Sequence, residues 1–403
     1  MKQFKTLATA FFLALGMGVS HANAADTISG QYIVTLDEAA LGQTPVLQSV
    51  NALVASIGGA EVMYVYDTAL TGFAAKLPRF AVRALGRSPL VLAIEPDQMV
   101  YANATQFNPP SYGLDRVDQR NLPLDDAYSY PDNAGAGANV YVLDTGLNAS
   151  HIDFAGRVGT GANFAANGGS ILRDLLGLLC PAPEPGNTDD CNGHGTYVSG
   201  TAVGSSYGVA KSAKVFPVRV LGCGGSGSNA GVIAGVDWVA ANHEKPAVAN
   251  MSLGGGNSEA LDTAVRNAIA AGVAFAVAAG NDNADACSGS PNRVAEAITV
   301  GSTTSSDARS SFSNFGSCLD IYAPGSNIIS ASHSSDTGAT SLSGTSMAAP
   351  HVAGAAARYL AANPAATPDD VVNALTANAT AGVVGDAKAG SPNLLLYVSP
   401  TTD

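Results

Sequence analysis

From residue 138 onward the chain repeats one phrase: a short apolar run, a turn, then an Ala- and Val-rich segment long enough for a helix. The apolar runs are Asn139 to Leu143, Val215 to Leu221, Ala247 to Leu253, Val273 to Ala278 and Ala297 to Val300. The clearest helical segments between them are Asn229 to Asn242 and Glu259 to Ala271. Strands apolar throughout need cover on both faces, so the phrase predicts an α/β fold: a mostly parallel sheet with helices on each side. Ligands of such sheets bind beyond the carboxyl ends of the strands, and polar residues there define the chemistry.

What precedes this region is of another kind. Lys2 and Lys5 lead into an apolar run from Leu7 to Val19, closed by Ala22-Asn23-Ala24, the layout of a secretory signal peptide over residues 1–24. The alternative, a membrane anchor, needs ~20 apolar residues, and no later stretch reaches that length without charge or turn residues. The chain is therefore expected to be exported and to lack a membrane anchor. Residues 25–103 then alternate strand-like Gln31 to Leu36, helix-like Val46 to Ile57, strand-like Glu61 to Tyr66 and the apolar Leu90 to Ile94. With no Cys, no His and no polar cluster, this segment reads as an accessory α/β domain or a removable pro-segment. Asn103 to Pro110 looks like a linker into a second domain, residues 104–403. Only 13% of residues are charged, against about 25% in ordinary globular chains, which disfavours disorder and coiled coil. The net charge of −13 leaves no basic footprint for nucleic acid.

Two constellations compete for the site. Gly222-Cys223-Gly224-Gly225-Ser226-Gly227 matches the dinucleotide pattern G-x-G-x-x-G between a strand and a helix. The next strand, however, ends in glycines with no acid to hold a ribose, and an exported protein rarely meets a soluble nicotinamide cofactor. The stronger set is Asp144 at a strand end, His194 in Asn192-Gly193-His194-Gly195-Thr196, and Ser346 in Gly344-Thr345-Ser346-Met347-Ala348-Ala349-Pro350. A serine nucleophile needs a base, and the base needs a buried acid to fix its tautomer. Ser346 also opens a helix, whose free N–H groups can stabilise an oxyanion.

These blocks resemble the three signature segments of subtilisin-like serine proteases, and their order, Asp, His, Ser, is that of subtilisin. Ser252-Leu253-Gly254-Gly255-Gly256, Ala278-Ala279-Gly280-Asn281-Asp282-Asn283-Ala284-Asp285 and Arg309-Ser310-Ser311-Phe312-Ser313-Asn314-Phe315-Gly316 are similar to the proteinase K and aqualysin branch. The resemblance covers about residues 105 to 399, and residues 26 to 103 resemble the inhibitor-type propeptide of the same family. It implies Ser346 as nucleophile, His194 as general base then acid, Asp144 as its orienter, and Asn281 as oxyanion donor. Without it, Asn281 reads as a turn residue.

It further implies that Gly222 to Gly227, with Gly222, Gly224 and Gly225, and the segment Ser252, Leu253, Gly254 pair with an extended peptide substrate. Ala278, Ala279 and Gly280 would wall a pocket for apolar or aromatic side chains. The five cysteines begin at Cys180, lack C-x-x-C zinc spacing and leave one thiol over. The resemblance pairs Cys191 with Cys223 and Cys287 with Cys318, with Cys180–Cys191 as a competing bridge. Cys180 ends a Leu-rich insertion, Ile171 to Cys180, that reads as a surface helix.

Asp115, Asp118, Gln119 and Asp125, at i, i+3, i+4 and i+10, match a structural Ca²⁺ site of aqualysin-like relatives, and Asp320 matches a ligand of a second. A solvated acidic helix start would carry the same letters. Many relatives have a second His three residues after the catalytic one, where this chain has Tyr197. His151, His243, His333 and His351 have no triad-like context. The expectation is a secreted, monomeric endopeptidase acting on protein or peptide substrates, made as a self-processing zymogen inhibited by its own propeptide. A catalytically silent peptide-binding relative is the alternative.

Overall fold

The structure, a computed structural model, describes residues 27–98, 103–165 and 186–400. Its contacts divide the chain into two units, Met1–Val100 and Tyr101–Asp403. The Leu-rich insertion and Cys180 lie outside the described residues, as does the signal-like segment.

The first unit is a four-stranded antiparallel sheet in the spatial order Glu61–Tyr66, Gly72–Lys76, Thr27–Leu36, Val91–Gln98. Helices Val46–Ile57 and Arg79–Leu85 complete it around a core of Val34, Leu36, Val50, Leu53, Phe73 and Leu85. Strand Gly72–Lys76 escapes the sequence reading because its buried positions are Gly, Ala and one Phe rather than β-branched residues. The small residue is forced: a Cβ at Gly72 would stand 2.2 Å from the Val34 carbonyl oxygen of the neighbouring strand.

The second unit is built on nine strands in the order Thr380–Ala381, Leu394–Leu395, Ile321–Pro324, Ile298–Thr303, Val273–Ala278, Ala247–Met251, Asn139–Asp144, Lys214–Arg219, Ala162–Asn163. Every neighbouring pair is parallel except the first. Side chains alternate across the sheet, as the strand period of two requires. Val140 and Val142 join one buried cluster, under helices His194–Val203 and Thr345–Ala362. Tyr141 and Leu143 join the other, under helices Asn229–Asn242 and Glu259–Ala270. This is the two-sided burial the apolar runs predict.

From strand Asn139–Asp144 the chain moves outward to Lys214–Arg219 on one side, then crosses to Ala247–Met251 on the other. The switch in direction opens a crevice at the carboxyl ends of the central strands. Two predicted strands stop short there: Ala247–Met251 leaves Ser252 and Leu253 outside the sheet, and Lys214–Arg219 leaves Val220 and Leu221 outside. The linker expected over Asn103 to Pro110 is a correction. Asn103–Phe107 is a strand paired antiparallel with Ala127–Pro131. Its exposed Thr105 and Phe107 alternate with half-buried Ala104 and Gln106, so one solvated face hides the strand in a polar sequence.

Candidate active site

Asp144 is the last residue of its strand and is fully buried. One carboxylate oxygen accepts from the Thr145 N–H at 2.8 Å, and the two oxygens lie 2.8 and 2.9 Å from His194 Nδ1. A carboxylate only accepts, so Nδ1 carries the proton and Nε2 is left as the basic nitrogen. His194 opens its helix immediately after Gly193, whose φ of 108° and the His333 ring 2.3 Å from any added Cβ both demand glycine. Gly195 is equally forced, because a Cβ there would lie 2.2 Å from the Gly146 carbonyl oxygen. The glycines flanking His194 thus record close packing of the loop after Asp144 on the histidine helix.

Sequence reasoning missed Asp190, which ties these elements together. One oxygen accepts from the Thr145 hydroxyl at 2.8 Å and from the N–H groups of Asn192 and Gly193 at 3.0 and 2.8 Å. The other accepts from the N–H and hydroxyl of Thr196 at 2.8 and 2.7 Å. Burial would raise its pKa, but these bonds together hold it below the usual carboxylate value. Burial would lower the His194 pKa; the charge and hydrogen bond of Asp144, with the charge of Asp190 added, outweigh it and hold the imidazole above its ordinary value.

Ser346 is the second residue of helix Thr345–Ala362, and its hydroxyl donates to the Ser252 carbonyl at 3.2 Å. His194 and Ser346 line one cavity of about 420 Å³ together with Ser252, Leu253, Gly254 and Gly225. Gly222 and Gly224 do not line it. The Gly222 N–H bonds the Ser226 carbonyl and the Gly225 N–H bonds the Gly222 carbonyl, so this segment is a tight turn rather than an extended edge. Only Gly225, Ser226 and Gly227 face the cavity. Gly225 has φ 72°, the backbone conformation that favours glycine in this turn.

Asn281 follows strand Val273–Ala278 and is exposed. Its Oδ1 accepts from the Thr345 N–H at 2.8 Å and the Thr345 hydroxyl at 3.0 Å, which fixes the amide plane and leaves Nδ2 free to donate. A second cavity of about 300 Å³ is lined by Ala278, Gly280, Asn281, Gly254 and Ser346. Ala279 is fully buried and backs this wall rather than lining it. Its carbonyl accepts from Asn292 and Asn314, so both asparagines spend their amide donors behind the cavity.

Both expected disulfides form, Cys191–Cys223 and Cys287–Cys318, which removes the Cys180–Cys191 alternative. Tyr197 turns away from the site: it is fully buried, donates to the Ile328 carbonyl and accepts from the Leu342 N–H at 3.3 Å. His351 is also fully buried, and desolvation brings its pKa down to about 4.

The acidic cluster behaves unevenly. Asp115 spends its two oxygens on the N–H groups of Asp125 and Asp126, and Asp125 caps the Ala127 N–H. Asp118 Oδ1 and Gln119 Oε1 are buried without a hydrogen-bond partner. Burial raises the Asp118 pKa to about 7, with the charges of Asp125 and Asp115 adding to the effect. Among the described residues no group of three or more His, Cys, Asp or Glu side chains is gathered to hold a metal ion. Asp320 accepts from the Thr299 N–H at 2.8 Å, and burial lifts its pKa to about 6.

Comparison with known proteins agrees with this geometry. Residues 135–395 match the subtilase family and residues 31–103 match the peptidase inhibitor I9 family. The chain is 51% identical to an extracellular serine proteinase of Thermus sp. (strain Rt41A) over 93% of this chain and 90% of that protein. It is also 51% identical to alkaline serine exoprotease A of Vibrio alginolyticus, over 84% of this chain and 60% of that one. The crystal structure of a cold adapted subtilisin-like serine proteinase superposes with a TM-score of 0.65 at 53% identity, covering 71% of this chain and 97% of that one. With a buried aspartate bonded to a half-buried histidine that shares one cavity with a serine at the switch point of a parallel sheet, the chain belongs to the subtilase family and is a serine endopeptidase preceded by an I9-type inhibitor domain.

Proposed function

We propose that this is a secreted endopeptidase that cleaves peptide bonds through an acyl-enzyme on Ser346. The observation that carries the reading is the Asp144–His194 Nδ1 hydrogen bond, which leaves Nε2 basic beside the cavity that holds Ser346. Ser346 Oγ turns from the Ser252 carbonyl to His194, gives its proton to Nε2 and attacks the scissile carbonyl carbon. Asn281 Nδ2 and the Ser346 N–H, in a helix's first turn where N–H groups lack intrahelical acceptors, receive the oxyanion. The tetrahedral intermediate collapses, the amine leaves with the Nε2 proton, and water repeats the cycle on the ester.

Substrate lies extended along Ser252 to Gly254 and the turn at Gly225. The cavity walled by Ala278 and Gly280 takes apolar or aromatic side chains with broad tolerance. Support for this is that Asp282, at the exposed edge, is the one charged residue among its lining. Residues 1–24 act as signal peptide, 25–103 as inhibitory propeptide and 104–403 as a monomeric peptidase.

The orphaned Asp118 Oδ1 and Gln119 Oε1, with the uncompensated charge near Asp125, fit a hard divalent cation. Asp115, Asp118, Gln119 and Asp125 would hold a structural Ca²⁺ there, and Asp320 would contribute to a second. Such an ion would neutralise the carboxylates that lie in and after helix Tyr112–Val117 and ahead of strand Ala127–Pro131.

The test is the intact mass of the secreted product from wild type and Ser346→Ala, before and after a fluorophosphonate. Wild type is expected to lose about residues 1–103 and gain one adduct, while the variant keeps its propeptide and stays unlabelled. Absence of labelling in a wild-type protein freed of its propeptide would refute the reading.

A further inference from the structure

We infer that Ser252 is a positioning residue for the nucleophile, required because of a proline in the nucleophile's own helix. The inference rests on Ser346 as the nucleophile. In an α-helix the N–H of residue 350 closes on the carbonyl of residue 346. Here residue 350 is proline, inside helix Thr345–Ala362, and it has no N–H to give. The Ser346 carbonyl therefore enters the site without its intrahelical donor.

Ser252 supplies that donor from outside the helix. Its Oγ lies 2.9 Å from the Ser346 carbonyl oxygen, and at 4% exposure it leaves little room for water to take its place. The Ser252 hydroxyl in turn accepts from Asn250 Nδ2 at 3.0 Å, so its single proton points at Ser346. Asn250 is fully buried on strand Ala247–Met251. The contact is reciprocal, because Ser346 Oγ donates to the Ser252 carbonyl. The strand end that continues into the substrate-binding segment and the first turn of the nucleophile helix are thus clamped at both ends of one residue pair.

The consequence is catalytic geometry. The position of Ser346 relative to His194 and Asn281 is set by a hydroxyl just beyond the end of strand Ala247–Met251, where an ordinary helix would set it by its own ladder. Misplacement of reacting groups by about 1 Å costs on the order of 10² in rate, so a loosened clamp reads out in kcat rather than in KM.

The experiment is a double-mutant cycle of Ser252→Ala and Pro350→Ala in the full chain, assayed after processing, with the active fraction titrated. Ser252→Ala is expected to lower kcat by about tenfold with KM changed less than about twofold. In the Pro350→Ala background, where the helix regains its own donor, the same change is expected to cost less than about threefold. Equal losses in the two backgrounds, or no loss in either, would overturn the inference.

The same four sequences carrying Ser346→Ala, which keeps the carbonyl and removes turnover, give a readout independent of activity. Their melting temperatures should be non-additive in the same sense, and strict additivity would also overturn it. Turnover surviving in Ser346→Ala would instead strike the assignment of the nucleophile, so the two failures are distinct.

Discussion

The oxyanion role proposed for Asn281 can be tested in graded steps because the structure shows how its amide is held. Asn281 Oδ1 has two anchors, the Thr345 N–H at 2.8 Å and the Thr345 hydroxyl at 3.0 Å, and these alone aim Nδ2 outward. Asn281→Leu removes the donor itself while keeping the side-chain size. The expected loss in kcat is about 10²–10³, a magnitude measured on subtilisin, a relative of this chain. Thr345→Val removes the hydroxyl anchor, which also accepts from the Gly280 N–H at 3.2 Å, and keeps the other, because the backbone N–H survives and the β-branched shape is unchanged. A neutral hydrogen bond is worth a net of about 0.5–1.5 kcal/mol, so this variant should lose roughly 2–12-fold in kcat. Both losses should leave KM within about twofold, because the donor acts on charge that exists only in the transition state. The assay is steady-state hydrolysis of a peptide p-nitroanilide with an aromatic residue before the anilide, on titrated enzyme. If Thr345→Val costs as much as Asn281→Leu, the two-anchor account is wrong. If Asn281→Leu raises KM with kcat intact, Asn281 binds substrate and does not stabilise the oxyanion.

Three other perturbations follow from the same geometry. Asp144 chiefly holds the His194 pKa up and the charge of Asp190 adds to it, so Asp190→Asn should move the acid limb of kcat/KM to lower pH, because the imidazole then stays neutral, and hence basic, further into acid; an unmoved limb in a folded variant would exclude its electrostatic role. The two disulfides span 32 and 31 residues. Chain entropy therefore predicts equal losses of about 3.7 kcal/mol when either pair is replaced by alanines; clearly unequal losses in calorimetry on the Ser346→Ala background would show that local strain or packing dominates. Thorough chelation should lower the melting temperature by removing a contribution of RT ln(1 + [L]/Kd), and Asp118→Ala should blunt that response; a chelation-insensitive wild type would exclude structural calcium.

The parts of this molecule legible from sequence are those where backbone crowding leaves a residue no choice. Gly193 and Gly195 stand in the His194 block because any Cβ would collide with His333 or with Gly146, so the block announces a site even before its chemistry is known. The apolar strands are legible for the same kind of reason, since Val140 and Tyr141 must both be buried though they face opposite sides of the sheet. What stays hidden is any role that depends on which acceptor a polar side chain meets across the fold. Asp190 sits in a loop where an aspartate is an ordinary turn residue, and its bonds to Thr145 reach across a long stretch of sequence. Thr345 reads as a routine residue at a helix start, yet it aims the Asn281 amide. Strand Asn103–Phe107 hides for a third reason: its polar Gln106 is half-buried while its apolar Phe107 faces solvent, so no apolar period of two is written into it. Pro350 marks the boundary between these cases. Its residue type is plain in the sequence and its missing N–H follows from chemistry alone, but only the fold brings Ser252 to the carbonyl that the proline leaves open. A residue's deficit can be read one position at a time; the residue that fills it is found only in three dimensions.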